Sequence, residues 1–261
     1  MDLEVSEKAF LITGGTDGLG LALASRLAAE GASVAICGRD EERLLSAEAA
    51  VTGVARSDGA VLAVRADVSQ AEDLEAFVES ALSRWGRIDG VVHNAGRASA
   101  GPLESIEDAT WEADFQLKLM AAVRLTRLAL PQLRANRGSV LFTLAMAAKA
   151  PGGGSEPSSV TRAAGMALMK ALSKELAPDG VRVNAILIGL IESGQWVRAA
   201  AASNTPIETF YADFSRNAGI PLGRFGRADE FADLGCYLLS TRASYVTGTA
   251  INLDGGMSPA V

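Results

Sequence analysis

Short apolar runs alternate along the chain with longer stretches whose apolar residues recur every three to four positions. The runs at 8–13, 33–37, 60–66, 88–93, 139–144, 181–187 and 250–253 read as seven strands. Helical spacing covers 18–30, 40–51, 70–85, a long stretch 106–134, then 158–177 and 228–239. The segment 190–217 is less regular and rich in small residues, and is expected to face substrate. Strand-helix alternation of this kind predicts an α/β fold: one Rossmann-type domain over residues 1–261, with a parallel, doubly wound sheet of about seven strands and helices on both faces. Crossovers should be right-handed. Neither a linker nor an internal repeat interrupts the pattern.

Composition narrows the function classes. Apolar residues make up 49% of 261, enough for a sizeable core, and the 27 glycines therefore point to close backbone approaches rather than disorder. The formal charge of −7, with no basic block, argues against a nucleic-acid partner. Cys37 and Cys236 form no CxxC pair, so neither a metal site nor a disulfide framework is expected. The first residues, Met1-Asp2-Leu3-Glu4, carry acid where a signal peptide carries base, and no apolar run approaches the ~18 residues of a membrane span. A cytoplasmic protein acting on a small molecule, with no membrane partner, is the expectation.

The chemistry begins after the first strand, at Thr13-Gly14-Gly15-Thr16-Asp17-Gly18-Leu19-Gly20, where a helix follows at once. Glycines there let the backbone approach a pyrophosphate, and the helix start supplies free N–H groups and a positive dipole end. A tight turn without ligand gives the same local pattern.

This turn resembles the cofactor turn of the short-chain dehydrogenase/reductase family, and further segments match in order. They are Asp67-Val68 after the third strand, Asn94-Ala95-Gly96 with His93 ahead of it, Pro131 where the family's long helix ends, Val181-Arg182-Val183-Asn184, Pro221-Leu222-Gly223-Arg224 and Asp254-Gly255-Gly256. The resemblance runs over about residues 8–257. It implies an NAD(P)-dependent oxidoreductase, a cofactor held by Gly14, Thr16, Asp17, Gly18, Leu19, Gly20, Asp67, Val68, Asn94, Ala95 and Gly96, and a homo-oligomer, dimer or tetramer. Gly189-Leu190-Ile191-Glu192-Ser193 resembles the family's Pro-Gly-x-x-x-Thr stretch, so Gly189, Ile191 and Ser193 join that set, Ser193 offering a hydroxyl to the carboxamide. Arg39, ending the second strand where an acidic residue would select NAD, suits a 2′-phosphate and favours NADP over NAD. Asp17 counts against NADP, because it puts negative charge in the glycine turn.

The family's catalytic Asn, Ser, Tyr and Lys are all replaced. Matching neighbours places Lys118, Ala145, Ser158 and Arg162 at those positions. In the family the Tyr hydroxyl moves the proton, and Lys lowers its pKa and holds the nicotinamide ribose. Ser158 is a shorter and weaker acid than a phenol. Arg162 keeps a cation near the ribose but cannot shuttle protons at neutral pH. Lys118 adds an amine: either it pairs with Asp114 one turn earlier, or, desolvated beside Arg162, it acts as acid, base or Schiff-base nucleophile. Tyr211, in the irregular segment, is a further candidate proton donor, with an ordinary helix aromatic as its alternative. Three functions stay open at this point: an oxidoreductase of carbonyl, enone or alcohol substrates with an unusual proton path; a non-redox dehydratase, cyclase or isomerase on the same scaffold; and a non-catalytic dinucleotide-binding protein.

Overall fold

A computed structural model describes residues 2–261; Met1 of the N-terminal reading lies outside the described residues. Seven strands, β1 (Ala9–Thr13), β2 (Ser33–Gly38), β3 (Val61–Arg65), β4 (Gly90–His93), β5 (Ser139–Ala145), β6 (Arg182–Ile188) and β7 (Ala250–Leu253), form one parallel sheet in the order β3-β2-β1-β4-β5-β6-β7. Every residue of β1 and β4 is buried, because both faces of the sheet are covered.

On one face pack α1 (Gly18–Ala29), α2 (Glu41–Thr52) and α9 (Ala228–Leu239), through Leu23, Leu27, Leu44 and Phe231. On the other pack α3 (Ala71–Trp85), α5 (Ala121–Asn136) and α6 (Ser158–Glu175), through Leu74, Phe77, Leu125 and Met169. Strand order reverses on either side of β1, which leads to β2 one way and to β4 the other. The crevice outside the carboxyl ends of β1 and β4 is therefore the switch point where ligands of such folds bind.

Three local expectations need correcting. The segment 190–217 is mostly helical: α7 (Gly194–Ala202) and α8 (Ile207–Asn217) occupy it. Its small residues are largely alanines, the best helix formers, and its aromatics pack together, with Trp196 5.2 Å from Phe214 and 5.4 Å from Phe225. The helix expected over 106–134 is divided: α4 (Asp108–Phe115) passes into a single wide π turn, Gln116–Met120, before α5 resumes. Pro131 does not end α5, which runs on to Asn136. No helix among the described residues is long and apolar enough to cross a membrane.

Candidate active site

A cleft of about 580 Å³ opens at the carboxyl edge of the sheet. The glycine turn forms one end of it. Gly14 and Gly18 take φ of +65° and +53°, which side-chain-bearing residues seldom adopt. A Cβ on Gly20 would strike the Gly14 carbonyl and come within 2.5 Å of Asn94 Nδ2, and one on Gly38 would lie 2.6 Å from Thr16 Cγ2. Asn94 staples the turn from below, its Nδ2 donating to the carbonyls of Thr13 (3.1 Å) and Gly14 (3.0 Å). Thr13 Oγ1 accepts from the amides of Asn94 and Ala95, tying β1 to β4. Asp17 caps α1 by accepting from Gly18 N at 2.7 Å, while the amides of Leu19 and Gly20 have no acceptor among the described residues. Those free amides beside bare glycine backbone fit a dinucleotide's pyrophosphate.

The neighbouring wall suits the adenosine half. Asp67 accepts from the Ser69 hydroxyl (2.7 Å) and amide (3.0 Å). Burial alone would raise its carboxyl pKa, but those hydrogen bonds and the charge of Arg39, 3.6 Å away, hold it below the usual range. Arg39 and Arg43, on successive turns of chain, both line the cleft, the latter 3.3 Å from Asp40. Arg198 of α7 approaches Asp17 to 3.7 Å and balances the charge in the turn. Val68, Ala95, Gly96, Gly189, Ile191 and Ser193 all line the same cleft, Ser193 beside Gly18.

Lys118, Ala145, Ser158 and Arg162, the candidates for the catalytic positions, line the other end. Lys118, carried on the π turn, has a side chain only 2% exposed. Its Nζ lies 2.5 Å from Asp114 Oδ1 and donates to Ser158 Oγ at 2.7 Å. Lys118 pairs with Asp114 and also lines the cleft. Burial first, and then the charge of Arg162, push its amine down to about 8 against the pull of Asp114. Asp114 is buried on the far side, where its Oδ2 accepts from Thr161 Oγ1 at 2.6 Å. Ser158 Oγ also accepts from Ser99 N (3.0 Å), and its own proton goes to Ser99 O over a long 3.3 Å. Arg162 lies beneath Gly96 and donates to the Thr143 carbonyl at the end of β5; burial lowers its pKa to about 10. Ala145 lines the wall and offers no polar group there.

Tyr211 and His93 fall outside this group. Tyr211 does not line the cleft; its ring packs 4.7 Å from Phe225. His93 is buried against Phe142, with Nε2 2.8 Å from Thr126 Oγ1, and burial pushes its pKa down to about 3, so it stays neutral. Sequence reasoning missed Arg97, Thr143, Gln195 and Trp196 as lining residues. Arg97 directly follows the Asn94-Ala95-Gly96 turn and was legible there; the others carried no local signal.

A seven-stranded parallel sheet with a glycine turn at its switch point and a polar cluster facing it defines a dinucleotide-dependent oxidoreductase of the Rossmann class. The enoyl-(acyl carrier protein) reductase family model matches residues 14–258. A 3-oxoacyl-[acyl-carrier-protein] reductase of Staphylococcus aureus is 30% identical over 253 residues, covering 96% of this chain and 98% of its own. A short-chain oxidoreductase of Pseudomonas aeruginosa, solved with NADPH and described as containing an atypical catalytic center, has a TM-score of 0.92 at 36% identity, over 98% of this chain and 99% of its own. The L-sorbose reductase of Gluconobacter frateurii, solved with NADPH and L-sorbose, has a TM-score of 0.93 at 33% identity over 100% of both chains. The chain belongs to the short-chain dehydrogenase/reductase family of NAD(P)-dependent oxidoreductases.

Proposed function

We propose that the protein is an NADPH-dependent reductase of small carbonyl or enone compounds in which Lys118 and Ser158 deliver the proton. The observation that carries this reading is the contact of the buried Lys118 amine with Ser158 Oγ, 2.7 Å, at the cleft wall. Bound NADPH supplies the hydride. The chain must then give a proton to the developing alkoxide. Ser158 holds its own proton only loosely, in the long bond to Ser99, and turns it toward a substrate oxygen. Lys118, donating to Ser158 Oγ, replaces that proton. An amine titrating near 8 is matched to this task, because general acids work best with a pKa close to the working pH. Asp114 keeps the ammonium in place and takes no part in the transfer. Arg162, anchored on Thr143, sets a fixed positive charge beside Gly96 where the ribose of a bound dinucleotide would lie.

NADPH rather than NADH is favoured by Arg39 and Arg43, two guanidiniums on the adenosine side of the cleft. Assembly as a dimer or tetramer is part of the same reading: Phe115 of α4 is 43% exposed, an apolar surface that a second copy would cover, and light scattering gives the mass.

The test is NADPH consumption across a panel of ketones and enones. Lys118→Ala and Ser158→Ala are expected to lower turnover by roughly 10²–10⁴, the usual worth of a positioned acid, with NADPH affinity by fluorescence unchanged. The same buried amine would serve dehydration or isomerisation as a base; NADPH binding without reduction of any panel member selects that reading instead.

A further inference from the structure

We propose that the substrate is an oxo acid, a small carbonyl compound bearing a carboxylate, and that Arg97 is the residue that selects it. The proposal rests on the reductase reading above and names its substrate class.

Four arginines line the cleft, and three of them are already engaged. Arg39 faces Asp67, Arg43 faces Asp40, and Arg162 donates to the Thr143 carbonyl. Arg97 lies exposed at the rim and makes no ion pair or hydrogen bond among the described residues. The turn at Asn94-Ala95-Gly96, fixed by the bonds to Thr13 and Gly14, carries it from the end of β4 to the cleft, so its base is held while its guanidinium is free.

The charges around it are one-sided. The carboxylates that line the cleft, Asp17, Asp40 and Asp67, stand with the glycine turn and the ends of β2 and β3. At the catalytic end stand Arg97, Lys118 and Arg162, and the field of Arg97 reaches the Lys118 amine. The one carboxylate behind them, Asp114, is spent on Lys118 and Thr161. Three cations against one engaged carboxylate favour an anion. A substrate with its carbonyl at Ser158 and a carboxylate toward the rim would meet that field.

Paired probes decide the matter: a series of short oxo acids, their methyl esters and their amides. Binding of each to the protein saturated with NADP is read by calorimetry, and turnover with NADPH is read separately. Acids are expected to bind roughly tenfold more tightly than their esters, the low end for a charged hydrogen bond because the rim is partly screened. Arg97→Ala should erase that preference and Arg97→Lys keep part of it, with the dissociation constant for NADPH the same in all three proteins. Esters bound as tightly as acids, or a preference that survives Arg97→Ala, overturns the proposal. So does a loss of NADPH binding in Arg97→Ala, since Arg97 would then be gripping the cofactor. Arg97-dependent acid binding without turnover leaves this inference standing and removes the reductase reading alone.

Discussion

Lys118→Ala separates chemistry from structure at the centre of the site. The ion pair it removes spans 2.5 Å, with side chains 2% and 0% exposed, so solvent does little to screen it. At an effective dielectric near 20 the attraction between the two charges is about 7 kcal/mol. Much of that is spent on keeping both ions out of water, but deleting one partner leaves the other stranded, at a cost of about 3–5 kcal/mol. Asp114 would keep only Thr161 Oγ1 as partner. Denaturant unfolding of Lys118→Ala should show that loss. In the double variant Lys118→Met with Asp114→Asn, the amide keeps the Thr161 contact without a charge, and most of the stability should return. Turnover should stay lost in both. Wild-type reduction needs the ammonium form, so its rate should fall as pH rises past about 8. Because folding lowers this amine's pKa from 10.5 to about 8, the unfolded chain holds the proton more tightly between those values, and Lys118 makes the fold more stable as pH rises through that window. Full turnover in Lys118→Ala, or a double variant as unstable as the single one, would refute the reasoning.

The other predictions follow from the cofactor half of the cleft. Gly20→Ala drives a methyl into the Gly14 carbonyl and Asn94 Nδ2, and should abolish NADPH binding by fluorescence while α1 remains helical by circular dichroism. A normal dissociation constant would mean that the turn does not hold the dinucleotide. Arg39→Ala should weaken NADPH by roughly tenfold and leave NADH nearly unchanged, the expected loss of a charged hydrogen bond at an exposed position. Equal weakening of both cofactors would place Arg39 away from the 2′-phosphate.

Much of the fold was legible because its strands are buried on both faces. Runs such as Phe10-Leu11-Ile12 and Val91-Val92 have no polar interruption and are too short for helices. The glycine turn was legible for the same local reason, its chemistry being set by a few consecutive backbone positions. What escaped depended on longer-range packing. The π turn adds part of a residue to one helical turn within Leu117-Lys118-Leu119-Met120, and no change in residue type marks it. Asn204 and Pro206 after α7 and Gly219 after α8 mark their ends, but their aromatics make sense only around Phe225, which lies later in the chain. The same packing decided Tyr211: sequence placed it in the segment over the pocket, but no residue of α8 lines the cleft. Arg97, by contrast, was visible as the next residue after a recognised motif and passed over because no partner was in view.

Lys118 and Ser158 make physical sense as a pair. A serine at the head of α6 ends well short of where a phenol would reach, and the space is taken up by a lysine from the facing π turn, whose amine stands 2.7 Å from the hydroxyl. The long flexible side chain supplies the reach and the titrating proton, and the short one supplies the contact. Changing only one member should therefore fail. Ser158→Tyr places a ring where Lys118 Nζ lies and pushes the ammonium off Asp114, so the single variant should be less stable and less active than the wild type. Adding Lys118→Asn and Asp114→Asn to it removes the obstruction and both stranded charges together, and the denaturation midpoint should recover relative to Ser158→Tyr alone. If Ser158→Tyr by itself matched the wild type in midpoint and turnover, the two positions would be independent, and the lysine-serine contact would not be the proton path.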